Sequence, residues 1–164
     1  SAGILLSVTS LPSKYGIGCF SQEAYDFVDW LAQAGQTYWQ ILPLGATSYG
    51  ASSDSPYQAF SAFAGNPYFI SLDALVDEGV LSRAEVEAVD FGDQANDVDY
   101  DKLHAGRFKL LRKAYERSDI SRNPEYQKFV AENHWWLNDY ALPLCMVLGM
   151  AMAIPLTSWL GGKI

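Results

Sequence analysis

Residues 38–72 read YWQILPLGATSYGASSDSPYQAFSAFAGNPYFISL, and the rest of the chain is best understood outward from them. The stretch opens with a short apolar run, Trp39-Gln40-Ile41-Leu42-Pro43-Leu44, which predicts a strand. From Gly45 to Gln58 the composition turns to Gly, Ser, Thr and Asp, interrupted by two tyrosines. A glucose ring has apolar C–H faces and a rim of hydroxyls. A site for it needs a flat aromatic surface and short polar donors and acceptors, often on loops at the C-terminal ends of strands. Tyr49, Ser55, Tyr57 and Gln58 supply those types in a small space, and Asp54 adjoins them. Pro56 restricts Ser55 to extended geometry. The same residues also describe an ordinary polar loop with buried tyrosines, and composition leaves both readings open.

Upstream, Ile4-Leu5-Leu6-Ser7-Val8 predicts a buried parallel strand, closed by the turn residues Thr9 to Ser13. Gly16 and Gly18 permit a tight backbone path. They lack the third glycine in register, or the Gly-Lys-Ser/Thr, that a phosphate loop needs. Ser21 is a candidate N-cap. Ala24, Phe27, Val28, Leu31 and Ala34 then recur at helical spacing, and Gly35 sits where a C-terminal cap belongs. Asp26 and Asp29 face away from that stripe. Strand, helix and strand make a βαβ unit, so the two strands are expected to pair in parallel with a right-handed crossover.

Downstream, Phe60, Phe63 and the Pro67–Ile70 run read as packing beneath the loop, with Tyr68–Leu72 as a short strand. Asp73 is a candidate cap for a segment ending at Gly79. Ser82 and Glu85 form a capping box that starts a short helix. From Asp73 to Asp101 there are ten acidic residues and one arginine. Asp93 to Asp99 lacks the frame of a calcium-binding loop, so a solvated acidic surface is the better reading. The helix expected from about Asp101 to Arg117 is basic, with Leu103, Leu110, Leu111, Ala114 and Tyr115 on its inner face. Charge pairing with the acidic stretch is expected. Asn123-Pro124-Glu125 marks another helix start, with Tyr126, Phe129 and Val130 inward. His134 and Asp139 are five apart and do not share a helix face. Trp135, Trp136 and Tyr140 are expected to pack. Ala141 to Leu160 carries no charge, but Pro143 and Pro155 interrupt it, and the interval falls short of the about 20 residues of a membrane span. A buried or partner-covered helix is expected instead.

Several strings resemble one family. Tyr38-Trp39-Gln40 with Leu42-Pro43-Leu44-Gly45, Asp54-Ser55-Pro56-Tyr57-Gln58 and Phe60 to Pro67 are similar to the motifs of the 4-α-glucanotransferases, or amylomaltases. Thr9-Ser10-Leu11-Pro12 and Tyr15-Gly16-Ile17-Gly18 resemble the same family's opening. The match is dense from Gly3 to Leu72, thinner from Asp73 to Tyr140, and fades after Ala141. It implies an α/β fold, the N-terminal portion of a (β/α)8 barrel, incomplete in this chain, with a helical subdomain. Residues 1–72 then hold the first βαβ part and the sugar loop, 73–140 a mainly helical subdomain, and 141–164 an apolar segment of unassigned structure. The implied reaction moves α-1,4-glucan segments between malto-oligosaccharides by a retaining route without a cofactor. The resemblance places Tyr57 at the subsite of the transferred glucose and Tyr49 at glucan binding outside the cleft. Ser55, Gln58 and Asp54 are the further substrate-binding candidates. Catalytic carboxylates are expected on later strands, so none is expected here. One departure is Ala51-Ser52-Ser53, where many relatives pass directly from Gly to Asp. The alternative is a non-catalytic α-glucan-binding protein that keeps the sugar loop alone.

The 164 residues, 49% hydrophobic and 18% charged, are enough to bury a core. A net charge of −8 argues against nucleic acid as a partner. Malto-oligosaccharides and the remainder of the barrel are the expected partners, with no membrane and no metal. Cys19 and Cys145 lie in no metal or redox spacing, which suggests free thiols and a reducing compartment, hence the cytoplasm. Nothing at the start resembles a signal peptide.

Overall fold

A computed structural model describes residues 1–47, 54–59, 61–92 and 97–148, with side chains to residue 141. Two short strands, β1 (Gly3–Leu5) and β2 (Tyr38–Gln40), pair in parallel with Ile4 opposite Trp39. Between them runs α1 (Gln22–Gln33), so the βαβ order predicted from periodicity is present. Both strands are shorter than the apolar runs that contain them. After Leu5 the chain folds into a 3-10 turn, Val8–Ser10, which buries Val8 against Leu11, Ala24 and Phe69. Beyond Gln40, Pro43 has no N–H to give a ladder. Trp39 ties the two runs together instead. Its Nε1 donates to the Leu6 carbonyl at 2.9 Å, and its ring meets Phe27 of α1 edge-on at 5.0 Å.

Ser21 is the N-cap of α1 in extended conformation, but its hydroxyl donates to Glu23 rather than accepting from the helix. Gly35, with φ of +71°, ends the helix as its position suggests. Gly18 is required by proximity. A Cβ there would stand 2.1 Å from the Val8 carbonyl oxygen.

The expected strand at Tyr68–Leu72 does not form. Asn66-Pro67 starts a 3-10 turn, Pro67–Phe69, whose Tyr68 N–H donates to Asn66 Oδ1 at 3.0 Å. The pre-set φ of Pro67 and the Asn cap prevail over the apolar composition. The next helix, α2 (Leu72–Asp77), is capped by Ser71, which accepts from Ala74 N–H at 3.2 Å. Asp73 is therefore not the cap. It accepts from Tyr15 Oη at 2.7 Å, pairs with Lys14 at 3.3 Å, and contacts Arg83.

Helix α3 (Arg83–Glu87) carries the predicted capping box, and α4 (Tyr100–Arg117) is capped by Asp99. The expected charge pairing is present. Glu85 accepts from Lys113 at 2.9 Å and from Arg117 at 2.7 Å, and Asp90 pairs with Lys102 at 2.8 Å. Asn123 caps α5 (Pro124–Leu148), accepting from Glu125 N–H at 2.9 Å. This helix runs through Pro143, where the sequence predicts an interruption. Residues 149–164 lie outside the described residues, and the reading of Pro155 with them. No helix among the described residues is long and apolar enough to cross a membrane.

Three apolar clusters hold these elements. The largest joins Tyr15 and Ile17 to Ile70, Leu72 and the inner faces of α2, α3 and α4. A second packs α1 and the strands around Val8 and Phe69. A third sets Trp136, Leu137 and Tyr140 of α5 against Ala46 and Ala64.

Candidate functional site

The polar loop that follows β2 is pinned at both ends. Gly45 and Gly65 form an antiparallel bridge, Ala46 N–H donates to the Ala64 carbonyl at 3.1 Å, and Asn66 N–H to that of Leu44 at 3.0 Å. Asn66 Nδ2 reaches Thr47 Oγ1 at 3.4 Å. Inside this clamp, Ser55-Pro56 starts a 3-10 turn, Pro56–Gln58. Ser55 Oγ accepts from Tyr57 N–H at 3.3 Å, and the Ser55 carbonyl accepts from Gln58 N–H at 3.0 Å. Proline at the first position and a hydroxyl cap fix the direction of the next side chain.

That side chain belongs to Tyr57, a residue 73% exposed. It borders a groove of about 640 Å3 lined by Pro43, Leu44 and Gly45, by Pro56 and Ala59, and by Ser61 to Gly65. The volume lies within the range of about 300–1,000 Å3 common for small-molecule sites. A tyrosine this exposed contributes little to the core, while its face and hydroxyl are both available to a ligand.

The other predicted residues divide around it. Ser55 holds the turn, and Gln58 is exposed beside Tyr57. Asp54 is half-buried, with Oδ1 lacking a partner among the described residues. Burial pushes its carboxyl up, and Asp101 of α4 adds to the rise. Tyr49, and with it the effect of Ala51-Ser52-Ser53, lies outside the described residues, as does Phe60.

Phe63 departs from its expected place beneath the loop. It is 57% exposed and forms part of the groove wall. Trp135, also expected to pack, is 59% exposed and meets Phe63 edge-on at 4.8 Å, while Trp136 and Tyr140 are buried. Among the described residues no three His, Cys, Asp or Glu side chains gather as a metal site. His134 is exposed, its Nδ1 2.8 Å from the Ala131 carbonyl. His104 is half-buried on α4 against Phe108, and burial lowers its pKa.

Residues 6–159 match the family model described as 4-alpha-glucanotransferase. A 4-alpha-glucanotransferase of Streptococcus pneumoniae is 52% identical over 141 residues, covering 85% of this chain and 27% of that protein. One from Thermus thermophilus is 43% identical over 161 residues, covering 96% and 30%. Among solved structures, the amylomaltase of Streptococcus agalactiae in complex with acarbose superposes with a TM-score of 0.78 at 39% identity, covering 91% of this chain and 30% of that one. The chain thus spans under a third of the length of these relatives.

Proposed function

The chain belongs to the 4-alpha-glucanotransferase family, and from that premise we propose that the whole protein transfers α-1,4-glucan segments between malto-oligosaccharides. In this reading β1, α1 and β2 are the first strand–helix–strand of a (β/α)8 barrel, which takes eight such strands to close. The reaction is retaining. A carboxylate nucleophile and a carboxylic acid/base stand roughly 5–5.5 Å apart across the scissile bond, and a sugar hydroxyl in place of water takes up the glycosyl group. Those two carboxylates belong to later strands. The part played by this chain is to bind and orient the sugar, with Tyr57 against the ring of the transferred glucose and Ser55, Gln58 and Asp54 around it. Tyr49 is assigned to glucan outside the cleft, and the cytoplasm is the proposed compartment.

The observation that carries the proposal is the Tyr57 ring, held out on the groove by the Ser55-Pro56 turn and left largely uncovered. In the full-length enzyme, Tyr57→Ala is expected to lower kcat/KM for transfer from maltotriose by about tenfold or more, the loss of one ring contact made at the reacting sugar. The midpoint of thermal unfolding should move little, because the ring is exposed. Unchanged kinetics would remove Tyr57 from the site.

A further inference from the structure

A second groove, of about 390 Å3, adjoins the first and shares residues 61–63 with it. Its other wall is the face of α5 that carries Trp135, Asp139 and Tyr140. Phe63 stands on the divide. Its ring meets the Trp135 ring at 4.8 Å and 74°, and both rings are more than half exposed. Buried Trp136 backs the pair at 5.7 Å from Phe63 and is itself fixed by donating from Nε1 to Asn133 Oδ1 at 2.9 Å. The platform is therefore held from behind and open in front. Two large rings left in water are unfavourable unless a ligand covers them or the rest of the longer protein, of which this chain spans under a third, packs on them.

Asp139 follows Trp135 by one helical turn, so the two side chains share a face. Its carboxylate is exposed and makes no ion pair or hydrogen bond among the described residues. An open aromatic surface beside a free acceptor matches a sugar unit, whose C–H face stacks while its hydroxyls donate. A purely apolar peptide would leave the carboxylate desolvated without a donor. The continuity of the two grooves sets the occupant, because a glucan chain lying on Tyr57 has neighbouring units to place.

We propose that Phe63, Trp135 and Asp139 form a further subsite for an α-1,4-glucan, taking a unit of the same chain that lies on Tyr57. This rests on the reading of the Tyr57 groove as a glucan site. The test uses S-linked maltotriose and maltoheptaose, which are not turned over, titrated by calorimetry into the full-length protein and its variants. Trp135→Ala is expected to weaken the heptamer by about tenfold and the trimer by less than about twofold, with Trp135→Phe recovering most of the loss. Tyr57→Ala should weaken both sugars. If the heptamer binds Trp135→Ala as tightly as the parent while Tyr57→Ala weakens both, the platform is refuted and the Tyr57 groove stands. Unaltered binding in both variants overturns both readings. Equal losses for the two sugars in Trp135→Ala would indicate a structural effect and also count against the platform. Asp139→Asn, on the exposed face, carries the same test if Trp135→Ala does not fold. A selective loss of about threefold on the heptamer supports the subsite, and no loss refutes it.

Discussion

Arg107 is fully buried in the middle of α4, and no carboxylate pairs with it among the described residues. One of its Nη groups donates to the Ile70 carbonyl, while Nε and Nη1 have no partner among the described residues. Burial pushes the guanidinium pKa down, and the nearby Cys19 thiol and the hydroxyls of Tyr68 and Tyr15 oppose that. The side chain thus ties α4 to the end of the Pro67–Phe69 turn at a cost in desolvation. Arg107→Met fills similar volume and removes the buried charge, so it should change stability by no more than about 1 kcal/mol. Arg107→Ala adds a cavity and should cost about 3 kcal/mol or more. Urea unfolding of both variants decides the matter. A large loss in the methionine variant would mean that the hydrogen bond to Ile70 outweighs the desolvation it requires. The residue is legible in principle. It lies four after Leu103 and three before Leu110, on the apolar stripe, yet among six basic residues it reads as one more surface charge.

At the scale of elements, three turns begin in the same way: Ser55-Pro56, Asn66-Pro67 and Asn123-Pro124 each place a capping side chain before a proline. The third is evident in the sequence because a long periodic helix follows. The second is obscured by Tyr-Phe-Ile, whose β-propensity suggests a strand that the cap forestalls. The strands are legible in place but not in length, since an apolar run does not say where a ladder stops. The acidic stretch is better explained through α3 and α4. Hydrogen bonds from Arg117, then Lys113, then the Ser82 backbone hold the Glu85 carboxyl well below its usual range. A carboxyl depressed in the folded state adds stability above its unfolded pKa of about 4.5 and loses it as pH falls further. Unfolding midpoints measured at pH 7 and pH 3 should therefore fall less in Glu85→Gln than in the parent. Gln keeps the capping box, so an equal fall in both proteins would mean that the ion cluster contributes nothing.

For the whole molecule, the proposed division of labour makes a direct prediction. Residues 1–164 alone, incubated with maltotriose, should yield neither glucose nor longer maltodextrins. Products that scale with added protein and vanish in an Asp54→Asn variant would place the catalytic groups in this chain. The loop is legible as a mark of the family because its strings are so particular. The α5 wall is not, since Trp135 and Trp136 read alike as packing and only the third dimension turns one out and the other in. The clamp at Gly45 and Gly65 has a consequence for how such a protein can change over generations. Because the bridge closes the loop at its base, residues inserted toward its tip leave the register of β1 and β2 unaltered. Lengthening a closed loop is inexpensive, about 0.6 kcal/mol for each doubling. Mutation can therefore lengthen such a loop, and with it the reach of Tyr57, while selection on the fold scarcely registers the difference.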